Sequence, residues 1–128
     1  MAAIDDAIAK ACTAVPGMQK AALVLVPEAL VLGGTGAETS FELEPLARSV
    51  ARLSAHVRSA GSESGSKFVE YAFVSEGELT VVRRGQQHPH IALVLSCSRE
   101  SNLAFVLNAA RAAAQTLEQT LDFEDWGG

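Results

Sequence analysis

The chain is poor in aromatic residues, in cysteine and in basic charge, and it has no apolar run longer than a strand. Each shortage excludes a class of function. Lys and Arg together number 10 against 15 Asp and Glu, for a net charge of −5, whereas nucleic-acid binding needs a concentrated basic face to neutralise phosphates. Nucleic acid is therefore not an expected partner. The longest apolar stretch, Ala21-Ala22-Leu23-Val24-Leu25-Val26, falls far short of the roughly 20 residues of a membrane span. The alanine-rich start carries Asp5 and Asp6 where a signal peptide would be basic and then apolar. A cytoplasmic protein without a membrane span is expected. Cys12 and Cys97 are the two cysteines and show no Cys-x-x-Cys spacing. They read as buried thiols that pack as small hydrophobes.

What is present is a chain of 128 residues, 48% apolar and 20% charged, which is enough for one domain with a core that needs neither disulfides nor metals. Ile4, Ala7, Ile8, Ala11 and Val15 share one helical face, and Pro16-Gly17 stops that helix near Ala14. Met18 to Val26 is strand-like, interrupted by Pro27-Glu28 before Ala29-Leu30-Val31-Leu32, so these make a hairpin without an Asn-Gly or Asp-Gly turn. The middle helix begins near Glu44-Pro45 and ends by Gly61. On it Leu46, Val50, Leu53 and Val57 form the expected core stripe. Ala47, Ala51 and Ala55 form a small-residue row along which a second helix can approach, while Arg48 and Arg52 lie opposite the core and Glu44 precedes Arg48 by one turn. Gly61 to Ser66 reads as a surface loop. Lys67 to Val74 and Glu78 to Arg84 form a second hairpin about Ser75-Glu76-Gly77. Ile91 to Leu95 is then a central strand covered on both faces, and Leu103, Val106, Leu107, Ala110, Ala114, Leu117 and Leu121 define a closing amphipathic helix.

Along this order no catalytic constellation appears. Gly33-Gly34-Thr35-Gly36 has the glycines of a phosphate loop but lacks its Lys-Ser/Thr ending, and Glu38 would repel an anion. His88-Pro89-His90 offers two zinc ligands, with His56 the only other histidine, so an exposed loop is the better reading. Serines occur without a nucleophile elbow. An enzyme or small-ligand sensor would have to draw on Cys97, His88, His90 and Tyr71, which lie on separate elements without a shared spacing. No enzyme activity and no cofactor or metal are expected.

Val15-Pro16-Gly17-Met18 leading into Ala21-Ala22-Leu23-Val24, the middle helix Pro45 to Ala60, and Ile91 to Leu95 followed by Ser101-Asn102-Leu103-Ala104 occur in an order and spacing that resembles the Roadblock / dynein light chain family. The resemblance runs from about Ile4 to Leu121. Pro27-Glu28 replaces the family's acidic-Gly turn, and Ala104 stands where glycine is frequent.

The resemblance implies an α+β fold, a three-layer α/β/α sandwich. Its five-stranded antiparallel sheet would follow the order helix-strand-strand-helix-strand-strand-strand-helix, with the middle helix on one face and the terminal helices on the other. It implies a Roadblock-like domain over residues 1–121 followed by an acidic, aromatic tail, Asp122-Phe123-Glu124-Asp125-Trp126, within 122–128. A homodimer is implied through the middle helices and the first strand of the second hairpin, involving Ala47, Ala51, Ser54, Ala55, Phe68, Val69, Glu70, Tyr71 and Phe73. The residues agree independently, because Phe68 to Val74 would otherwise leave an apolar edge strand in water. Tyr71→Pro should weaken the pair by removing a ladder donor. Single-domain bacterial members, the MglB-like polarity regulators, bind a Ras-like GTPase and modulate its nucleotide cycle; other members bridge a second Roadblock protein or a receiver-type protein. Arg48, Arg52 and Arg58 are the expected partner-binding residues, arginine being favoured at interfaces for its planar, bidentate head.

Overall fold

Every residue from Ile91 to Cys97 is buried, and this segment is the middle of the sheet. The computed structural model describes residues 2–36, 43–64 and 70–121. In chain order the elements are α1 (Ala2–Ala11), β1 (Met18–Leu25), β2 (Leu30–Thr35), α2 (Glu44–Ser64), β3 (Glu70–Val74), β4 (Glu78–Arg84), β5 (Ile91–Ser98) and α3 (Leu103–Thr120). The strands form one sheet in the order β2-β1-β5-β4-β3, with every neighbouring pair antiparallel. A strand flanked on both edges and covered on both faces has no polar side to keep, which is why β5 reads as an unbroken apolar run.

Two cores lie on the two faces. Odd-numbered sheet residues, among them Leu23, Val81, Ile91, Leu93 and Leu95, pack with Ile8, Cys12 and Val15 from the α1 end and with Val106, Ala110, Ala113, Ala114 and Leu117 of α3. Even-numbered residues Ala22, Val24, Val82, Ala92 and Val94 pack under Leu43, Ala47 and Val50 of the α2 segment. The fold is the expected α/β/α sandwich. Asn102 caps α3 by accepting from the Phe105 amide at 3.2 Å, satisfying one of the helix's free N–H groups.

The structure corrects the phase of α2. Its buried stripe is Leu43, Ala47, Val50 and Ser54, with Leu46 and Leu53 only half-buried. The cause is the small side chains beneath it: over Ala22, Ala92 and Gly34 the helix sits close, and an alanine fills the contact that a leucine would overpack. Val57 lies on α2 beyond the described side chains. The helix also continues through Gly61-Ser62-Glu63-Ser64, where a loop was expected. A helical glycine costs only about 1 kcal/mol relative to alanine, less than a helix stop requires. At the other end, α1 stops at Ala11, short of the expected Ala14.

The glycines Gly33 and Gly34 also belong to a strand, not to a loop. β2 runs through Thr35, with a register shift opposite Leu23/Val24. A Cβ on Gly33 would lie 2.5 Å from Ile4 Cγ2, and one on Gly34 would overlap Leu43 Cδ1 and come within 2.8 Å of the Ala21 carbonyl oxygen. The pair is pressed between α1 on one face and the start of α2 on the other, so the motif serves close packing and not an anion.

The β4–β5 loop is held by one carboxylate. Glu118 of α3 accepts from the amides of Gln86 and Gln87 at 2.8 and 3.0 Å, and its Oε2 lies 3.3 Å from His88 Nδ1. Burial raises the Glu118 pKa, but these hydrogen bonds outweigh it and leave the group below its ordinary value of 4.5. A group depressed in the folded state contributes stability above its unfolded pKa and loses it as pH falls through the folded one.

Two outcomes follow from these contacts. Gly34→Ala should destabilise the fold by about 1–3 kcal/mol through overpacking, read from the denaturant midpoint, while Gly77→Ala, with nothing within 4 Å of the added carbon, should stay within about 0.5 kcal/mol. Glu118→Gln should lose about 1 kcal/mol at neutral pH. Its deficit against the parent should then shrink as pH drops below 4.5; a deficit that stays constant down to acid unfolding would show that the carboxylate charge is not what holds the loop.

Candidate functional site

The features left for a function are an outer helix face and a strand edge. Arg48 and Arg52 both point away from the sheet on α2 and are exposed. Arg48 Nη1 lies 4.0 Å from Glu44 Oε2, with both side chains about half exposed, and such an exposed helical pair is worth only a few tenths of a kcal/mol. Its guanidinium is therefore cheaply released to a partner. Arg58 continues the same helix, but its side chain lies outside the described residues. Beside Arg48 an open cleft of about 350 Å³ is lined by Glu28, Ala29, Leu30, Val31 and Glu44, with Leu30 at 52% exposure. The sequence reading missed this apolar neighbour of the arginines, because it comes from the distant β1–β2 turn.

Of the expected dimer residues, Ala47 is fully buried against the sheet and cannot touch another chain. Ala51 is half-buried and Ala55 exposed on one flank of α2, while Leu46 and Leu53 occupy the opposite flank. Ser54 is buried, and its hydroxyl hydrogen-bonds the Tyr71 hydroxyl, which ties α2 down over β3. Burial pushes the Tyr71 phenol above its ordinary 10.0 despite that bond and the nearby Arg84 charge. Phe73 packs beside Tyr71 on the same core. Glu70 faces the other way: its Oε2 lies 2.6 Å from Arg111 Nη2 and 3.6 Å from Arg83 Nη1, so its charge already has partners within the chain. Phe68 and Val69 lie outside the described residues.

The edge of β3 has a regular register. Ser75 donates its amide to the Glu78 carbonyl at 2.9 Å, and antiparallel alternation from that pair turns the amides of Phe73 and Tyr71 inward to β4 and those of Val74 and Ala72 outward. This corrects the choice of Tyr71 for a proline test, since its N–H belongs to the internal ladder. Val74, on the outward-amide set, is 60% exposed.

The candidate chemical groups stay apart. Cys97 is buried on the α3 face of the sheet and Tyr71 packs on the α2 face. Burial, with Cys97 beside it, pushes the Cys12 thiol up to about 11, leaving it protonated and inert at neutral pH. His88 and His90 are half-buried in place of exposed, their rings edge to face at 6.1 Å, and His88 is engaged by Glu118. Among the described residues no three His, Cys, Asp or Glu converge as metal ligands, and no helix is long and apolar enough to cross a membrane.

No protein-family model and no curated protein matches the sequence. Solved structures do resemble the fold. A Roadblock/LC7 domain from Streptomyces avermitilis superposes with a TM-score of 0.77 at 18% identity, covering 90% of this chain and 94% of that one. MglB of Myxococcus xanthus gives 0.73 at 16% identity over 96% and 94%, and the gliding protein MglB of Thermus thermophilus gives 0.74 at 21% over 89% and 84%. At such identities the likeness is one of architecture, and it agrees with the helix layers and the strand order: this chain has the Roadblock/LC7 fold.

Proposed function

We propose that the chain is a cytoplasmic, non-enzymatic homodimer that regulates or anchors another protein, and that its partner is a Ras-like GTPase or a second Roadblock-type protein. The observation that carries this reading is the pairing of two exposed arginines on α2, Arg48 in only a weak helical ion pair, with the regular edge of β3 at the end of the sheet. An open edge strand is covered in most soluble proteins, and a second copy covers it without new chemistry. Two α2 helices then lie side by side, and their arginines crowd one surface of an acidic protein. An acidic surface, such as a GTPase switch region, suits planar bidentate heads. Likeness to MglB proteins supports a regulator or adaptor of this kind. The working domain is residues 1–121, with 122–128 as an appended tail that contributes modestly to binding.

Ala72→Pro removes one outward donor and should convert a micromolar dimer to monomer in sedimentation, with thermal unfolding still cooperative. Arg48→Glu with Arg52→Glu should leave the dimer mass unchanged and abolish capture of a purified Ras-like GTPase from the same source. Retained capture by this variant, with loss on deleting residues after Leu121, would move the docking site to the tail.

A further inference from the structure

The sheet has a second edge, on β2, and it is built differently. Val26 donates its amide to the His90 carbonyl at 2.8 Å, so β1 turns its even residues to β5 and its odd ones to β2. Leu23 and Ala21 pair with Gly33 and Thr35, which leaves the Gly34 amide facing outward, and the shifted pair Val24 to Val31 turns the Val31 amide outward too. The outward Gly34 amide is not open: it donates to Asp5 Oδ1 at 2.9 Å. Asp5 belongs to α1, and α1 comes this close only because Gly33 has no side chain, since a Cβ there would lie 2.9 Å from the same Asp5 oxygen. A carboxylate on an edge donor removes that donor from any incoming strand and sets a negative charge where the strand's carbonyl would arrive. Two copies meeting antiparallel at this edge would also bring two Asp5 carboxylates together.

We propose that Asp5 is an edge guard: it closes a second self-association surface on β2, whose occupant, once the guard is gone, is the β2 edge of another copy. Leu30, exposed at the start of that strand, supplies the apolar contact. The register shift in β2 adds a local twist that weakens such pairing without preventing it. The inference goes beyond the proposed dimer, and it is read against the parent's own mass. A parent found as a monomer would overturn the β3 contact and leave this proposal standing.

The test is sedimentation velocity on three variants across the micromolar range. Asp5→Ala should give concentration-dependent species heavier than the parent, an open series where the parent is the β3 dimer with a β2 edge at each end and a single doubling where it is a monomer. Asp5→Asn, which keeps the Oδ1 acceptor, should retain mainly the parent mass, and Val31→Pro placed in the Asp5→Ala chain should restore it by blocking the outward edge of β2. A folded Asp5→Ala at parent mass overturns the proposal, as does association above the parent mass that persists with Val31→Pro. Should Asp5→Ala fail to fold, amide exchange in the parent decides: Gly34 should exchange about tenfold more slowly than Val31 after correction for intrinsic rates, and equal rates overturn the guard.

Discussion

Burial of β5 on both faces is the constraint from which the rest of the structure follows. Once Ile91 to Cys97 are committed to the interior, a neighbour is needed on each edge and a helix layer on each side, and β1 and β4 supply the first while α1 with α3 and α2 supply the second. The remaining strands, β2 and β3, then fall at the ends of the sheet. Their edges are where a five-stranded sheet must meet water, another chain or a device that ends it. The features proposed for a function, the α2 arginines and the β3 edge, are consequently peripheral.

The regular parts of this arrangement were legible from residue patterns. The unbroken apolar run of β5 and the helical spacing of α3 each report how many faces an element buries, and those patterns are local. What could not be read locally was the phase of α2 and the role of Gly33-Gly34. Ala47 looked like the first of an exposed small-residue row because periodicity records polarity and not size. Its burial depends on the sheet beneath being equally small, at Ala22 and Ala92. The glycines were intelligible only once Ile4, Asp5 and Leu43, from two other elements, were seen pressed against them.

The candidate surface was partly legible for the same reason. Arg48 and Arg52 were placed outward by helix geometry alone, and the structure keeps them there. Glu70 was not: a strand residue has two possible faces, and only the positions of Arg83 and Arg111 decide which one it takes. The bond from Ser54 to Tyr71 joins two elements across the second core and has no sequence signature. Polar contacts of this sort are long-range, so they are the last features that a one-dimensional reading can supply.

The two cores differ in their side chains, and α2 has the lighter one. Leucines and isoleucines fill the α1/α3 side, while alanines and valines fill most of the α2 side. Fewer buried carbons among the described residues favour opening of this layer ahead of the other. The helix that presents the arginines thus sits on the lighter of the two described cores. A partner docked on that face would act as a second half of its core, so that its occupancy and the folding of that layer would become a single equilibrium.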